Sequence, residues 1–113
     1  MRIVSEALRV EELKEMAGRL FGELVKAVVD VDRELIALDA ELHADLEAHL
    51  LQDGSQQKSL WGINLYPELA GEEFVEFDSM INVRPSQRNK SRGVEDAALR
   101  KKIIAIVEKR IVR

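Results

Sequence analysis

Apolar residues return every three or four positions through the first part of the chain, at Val10, Leu13, Ala17, Leu20, Phe21 and Leu24. That spacing lays one stripe along a helix over residues 10–24, and Glu11 and Glu12 suit its first turn, where the helix dipole favours negative charge. The period then shortens to two. Val25, Ala27, Val29 and Val31 alternate with Lys26, Asp30 and Asp32, broken only by Val28. β-Branched side chains pack well on a pleated surface and lose rotamer freedom in a helix, so residues 25–31 read as a strand. "DRE" at 32–34 makes a tight turn into a second strand at about residues 35–40. Ahead of all this, Ile3 and Val4 stand among polar residues and suit a short edge strand.

Residues 41–52 carry two patterns at once. Leu42, Ala44, Leu46, Ala48 and Leu50 alternate strictly with Glu41, His43, Asp45, Glu47 and His49, as in a strand. A strand running on from residue 36 to 50 would far exceed the usual five or six residues, and no residue from 37 to 51 is β-branched. Leu42, Leu46 and Leu50 also form a row at i, i+4, and Gly54 suits a helix C-terminus. Helix over about 43–52 is the better account; strand is the alternative.

The period of two returns in "LWGINLYP", with Trp61, Ile63 and Leu65 on one side and Gly62, Asn64 and Tyr66 on the other, ended by Pro67. "FVEFDSMINVR" alternates again: Val75, Phe77, Ser79, Ile81 and Val83 face one way, while Phe74, Glu76, Asp78, Met80, Asn82 and Arg84 face the other. The two segments suit an antiparallel pair. A last helix spans 96–112, with Asp96 as N-cap and a stripe of Leu99, Ile103, Ile106, Val107 and Ile111. This order predicts an α+β fold: a mainly antiparallel sheet of four to five strands with about three helices, the helices packed on one face.

Length and composition narrow the class. A chain of 113 residues with 46% hydrophobic residues suits one domain, 1–113, with a single core. No apolar run approaches the ~20 residues that span a bilayer, so no membrane partner is expected. There is no cysteine, hence no thiolate metal site and no cysteine nucleophile, and a cytoplasmic location is the expectation. Net charge is −4, which argues against a general polyanion binder, but the charge is uneven. Residues 84–113 carry ten basic and three acidic residues, a net +7; the other 83 carry seven basic and eighteen acidic, a net −11. Such a chain can bind an anion locally or pair with a copy of itself as a homodimer. The basic end also completes the dipole of the last helix, which needs no partner.

Three groups of residues could carry chemistry. The polar side of the last two strands would show Asn64, Tyr66, Glu76, Asp78, Asn82 and Arg84 to solvent or to a ligand, or would be an ordinary solvated face. "HAD" offers His43 and Asp45 as a base and a carboxylate; on a helix, however, at most two ligating groups share a face, so no metal site is expected, and no HExxH or GxSxG motif accompanies them. "RPSQRNKSRG" places Arg84, Arg88, Lys90 and Arg92 around Gln87 and Asn89, a set able to clamp a phosphate or simply to form a solvated loop. Residues 84–113 contain no aromatic side chain for stacking on bases, which argues against nucleic acid.

The segments "ELHAD", "LWGIN", "DSMINVRPSQ" and "GVED" are similar to those of a small family of uncharacterised prokaryotic proteins, a domain of unknown function. The similarity covers nearly the whole chain and implies one compact domain. It brings no assigned activity, cofactor or catalytic residue. Two functional expectations stand side by side. The first is a non-enzymatic binding or interaction domain with no cofactor, arranged as a homodimer. The second is a small-anion binder or enzyme with a polar site of His43, Asp45, Asn82 and Arg84, extended by Asn64, Asp78, Gln87 and Asn89.

Overall fold

The computed structural model describes residues 1–113. In chain order the elements are β1 (Arg2–Val4), β2 (Leu8–Arg9), α1 (Val10–Arg19), β3 (Val25–Asp30), β4 (Leu35–Leu38), α2 (His43–Gln52), β5 (Leu60–Leu65), β6 (Val75–Glu76), α3 (Ala97–Arg110) and β7 (Ile111–Val112). Five strands form one antiparallel sheet in the order β1-β4-β3-β5-β6. The fold is α+β with three helices and a mainly antiparallel sheet. No helix is long and apolar enough to cross a membrane.

The helices do not share one face, as the sequence had suggested. α1 and α3 cover one side, where Leu13, Met16, Ile103, Ile106 and Val107 join Val25, Val29, Ile36, Trp61 and Ile63 in a cluster of 20 buried residues. α2 covers the other side, where Leu46 and Leu50 pack on Val28, Leu35, Ala37 and Leu60. The physical reason lies in the unbroken apolar runs "AVV" and "LIAL": every residue of β4 and β5 is buried, so both faces of the sheet need a cover.

α1 is shorter than its apolar stripe. It stops at Arg19, because Gly22 adopts a left-handed φ of 87° and its N–H donates back to the Ala17 carbonyl at 2.6 Å. Phe21 is left partly exposed, with the Lys26 ammonium 5.0 Å from its ring centroid. Residues 43–52 form a helix, which settles the double pattern there; His43, Leu46 and Leu50 are its buried positions.

The β3–β4 turn is tied down by Asp30, which is fully buried. Its Oδ1 accepts the backbone N–H groups of Asp32 (2.9 Å) and Arg33 (3.0 Å), and its Oδ2 accepts the Ser55 hydroxyl at 2.6 Å. Arg33 in turn donates to Ser55 Oγ at 2.8 Å and pairs with Asp53 at 2.8 Å, joining the turn to the end of α2. Replacing Asp30 by Ala strands three donors, so Asp30→Ala should lower unfolding free energy by about 2–4 kcal/mol. A urea titration followed by the single tryptophan, Trp61, checks this; an unchanged midpoint would show the network to be dispensable.

The largest departure from the sequence pattern follows Glu76. Alternation predicts a strand through 74–84, but only Val75–Glu76 pairs with β5, and Met80–Asn82 forms a 3-10 turn started by Ser79, whose Oγ accepts the Ile81 N–H. The edge of β5 beyond Asn64 is closed by a side chain instead. Asn82 Oδ1 accepts the Gly62 N–H at 2.8 Å, and its Nδ2 donates to the Gly62 carbonyl at 2.9 Å. One carboxamide thus supplies the donor and acceptor that a neighbouring strand would have supplied. Finally, β2 and β7 form a two-stranded parallel ladder, Leu8 against Ile111 and Arg9 against Val112, which brings the two ends of the chain together.

Candidate functional site

Asn82, the last residue of the 3-10 turn, and Arg84, Gln87 and Asn89 after it build the next segment. Asn82 is fully buried; besides holding Gly62 it donates to the Arg92 carbonyl at 2.9 Å. Asn89 is also buried, donating to the carbonyls of Asn82 (2.7 Å) and Gly93 (2.8 Å) while its Oδ1 accepts the Glu95 N–H at 2.9 Å. Arg84 and Asn89 exchange backbone hydrogen bonds of 2.7 and 3.1 Å, and Arg88 turns the chain at a left-handed φ of 61°. Glu95 closes the loop by accepting the N–H groups of Lys90 (2.6 Å) and Ser91 (2.9 Å), which hold its carboxyl below the usual range. The side-chain amides of Asn82 and Asn89 are thus committed to backbone carbonyls, and the Lys90 and Ser91 N–H groups to the Glu95 carboxylate.

Arg84 is also engaged. Its guanidinium lies 4.0 Å from the Trp61 ring centroid and donates to the carbonyls of Gln57 and Leu60, while Gln87 bridges it (3.1 Å) to the Lys58 carbonyl. Trp61 belongs to the α1–α3 side of the sheet. His43 meets β5 from the α2 side, its Cδ2 lying 3.2 Å from where a Cβ on Gly62 would stand. The structure does not bring Arg84 into the cleft that His43 lines. Asp45 is exposed on α2 and lines that cleft no more than Arg84 does, and no three His, Asp or Glu side chains gather as a cation-binding group.

What does converge is a cleft of about 540 Å³ between the start of α2, β5–β6 and the Ser79 turn. Its volume falls in the range of small-molecule sites. Of the residues singled out from sequence, His43, Asn64, Tyr66, Glu76, Asp78 and Arg92 line it. Lys26 and Ser79 arrive through pairing register and chain turning, which periodicity does not report. Lys26 stands opposite Asn64 on β3, and Glu76 opposite Asn64 on β6.

Asn64 is the centre of the polar wall. Its Nδ2 donates to Glu76 Oε1 at 2.8 Å and to the Asp78 carbonyl at 3.4 Å, and Tyr66 donates to the same Glu76 oxygen at 3.0 Å. Desolvation first, then the Glu76 hydrogen bond, raise the Tyr66 hydroxyl above its ordinary pKa. Asp78 pairs with Arg92 at 2.7 Å. Asn64 is only 6% exposed, and its Oδ1 is buried with no hydrogen-bond partner.

A family model described as "Protein of unknown function (DUF5674)" matches residues 2–110. The chain belongs to that family. No curated protein and no solved structure matches it. The DUF5674 family carries no assigned activity, so the chemistry of this member is read from its own side chains.

His43 shows what that chemistry does with pH. Its Nε2–H donates to the buried Ile63 carbonyl at 2.8 Å, which leaves Nδ1 as the lone-pair nitrogen. Burial pushes its pKa below 6.5; the Ile63 bond opposes this, Lys26 and Arg92 add to it, and Asp78 counters. The sign follows from linkage: as pH falls through 6.5 the unfolded chain takes up a proton that the native chain refuses. His43 therefore contributes stability in full above pH 6.5 and loses it as pH drops toward its depressed native value. His43→Gln, which keeps a donor for Ile63, should flatten the fall in urea midpoint between about pH 7.5 and 5.5. An equally steep fall in the variant would assign the pH dependence to other groups.

Proposed function

We propose that this chain is a non-enzymatic binding domain that receives a small polar molecule in the cleft beside His43 and Asn64. The supporting observation is the Asn64 carbonyl oxygen, buried and unpartnered in the wall of a cleft of ligand size. A buried acceptor left without a donor costs about 1–3 kcal/mol, a cost that an incoming donor group would relieve. Leu24, Leu42, Met80 and Ile81 supply apolar walls, with Leu42 and Met80 well exposed at the rim. We also propose a cytoplasmic location, which rests on the cysteine-free composition and not on the cleft.

The test is chemical-shift mapping on isotope-labelled protein with a panel of small acids, amines, amides and alcohols. Shifts should concentrate on His43, Asn64, Tyr66 and Ser79. Shifts confined to other surfaces, or none from any class, would overturn the reading.

The charge asymmetry favours a second arrangement, a homodimer in which the +7 end of one copy meets the −11 remainder of another. Sedimentation should then show a dimer at about 50 mM salt that weakens at about 500 mM, where charges are screened within a few ångströms. A monomer at both would remove it.

A further inference from the structure

Resting on the cleft reading above, we infer that the ligand presents a primary ammonium group, which docks on Asn64 Oδ1 and the Glu76 carboxylate. Asn64 itself excludes an acceptor at this point. Both acceptors near its amino group, Glu76 Oε1 and the Asp78 carbonyl, fix the amide orientation, so the unpartnered atom is the oxygen and can only receive a donor.

The charges in the cleft sharpen the class. Arg92 is paired with Asp78, and Lys26 lies over the Phe21 ring. Glu76 stands apart. It receives hydrogen bonds from Asn64 and Tyr66, both neutral, and is joined to no Lys or Arg. A carboxylate that receives only neutral donors, one of them the same amide that carries the orphaned oxygen, is a fitting acceptor for N–H groups that carry positive charge. An ammonium has three such hydrogens. Met80, 67% exposed and unbranched, is the rim group that can give way as the ammonium enters, and Leu24, Leu42 and Ile81 suit a short alkyl body.

The probe is n-butylamine, a cation at neutral pH, titrated into labelled protein beside n-butyltrimethylammonium, which keeps the charge but has no N–H, and butyrate. Butylamine should move the Asn64 side-chain amide and the Tyr66 and Ser79 backbone signals with a Kd of roughly millimolar, as expected for so small a ligand. Trimethylation should weaken this at least tenfold. Glu76→Gln, which can still accept from Asn64 and Tyr66 and so keeps the fold, should also weaken it at least tenfold. Equal response to both cations, or full binding by the Gln variant, would overturn the inference. Butyrate binding in the cleft without butylamine would overturn it while sustaining the cleft as a site. Silence from all three probes at these residues would remove both readings.

Discussion

Asn82→Asp should be the most damaging single-atom exchange in this protein, lowering unfolding free energy at neutral pH by about 4 kcal/mol or more. The side chain is fully buried, and its two ends are chemically distinct. Its oxygen receives the Gly62 N–H, which an aspartate could still do. Its nitrogen donates to the carbonyls of Gly62 and Arg92, both at 2.9 Å. An aspartate oxygen there faces two carbonyl oxygens and carries a desolvated charge. Against a total stability of about 5–15 kcal/mol, this removes much of the native population. The pH dependence identifies the cause. The buried carboxyl must be raised above its unfolded value of about 3.9, so the deficit relative to wild type is largest near neutrality and shrinks as pH falls toward about 4. The neutral acid also restores one O–H donor. Asn82→Ala, which strands the same backbone groups without a charge, should cost about 3 kcal/mol with no such recovery. Denaturant curves of the three proteins at several pH values decide it, and an Asp variant that gains nothing on acidification would disprove the assignment of the amide ends.

Gly62→Ala should cost about 2–3 kcal/mol, by overpacking. An added Cβ would stand 2.5 Å from Ser79 Cβ and 2.6 Å from its Oγ, with His43 Cδ2 at 3.2 Å. Ser79 cannot easily retreat: it is 1% exposed, and its N–H is bound to the Arg92 carbonyl at 2.9 Å. Gly62 is thus required for the close approach of the Ser79 turn rather than for an unusual backbone angle. Ser79→Gly in the Gly62→Ala background removes the clashing atoms, so the double variant should recover at least about 1 kcal/mol relative to additivity. Strict additivity of the two changes would place the clash elsewhere.

The sequence discloses some of this architecture well and some of it poorly. β3, β5 and α2 are legible because valine alternation, the Trp61-Ile63-Leu65 run and the lack of β-branching over 37–51 each report local preference, and local preference agrees with the packing. The two-sided burial of "LIAL" was visible as an unbroken apolar run, although alternation elsewhere suggested one covered face. Residues 77–83 mislead because Phe77, Ser79 and Ile81 alternate as a strand does, while the pairing role on β5 goes to the Asn82 side chain. Period carries no sign of a carboxamide standing in for a peptide group. The polar residues chosen from sequence divide accordingly. His43, Asn64 and Asp78 line the cleft; Asn82 and Asn89 hold the backbone of the 82–95 segment; Arg84 and Gln87 fasten it to the Gln57–Leu60 stretch.

The ladder between β2 and β7 has a mechanical meaning. Its strands run parallel, so the chain leaves β2 toward its N-terminus and β7 toward its C-terminus in opposite directions. Tension applied between the termini first loads β1 against β4; once β1 has come away, it pulls β2 and β7 lengthwise past each other. The hydrogen bonds of the pair then bear load together rather than opening one after another, and the two short strands act as a latch against extension of the whole chain.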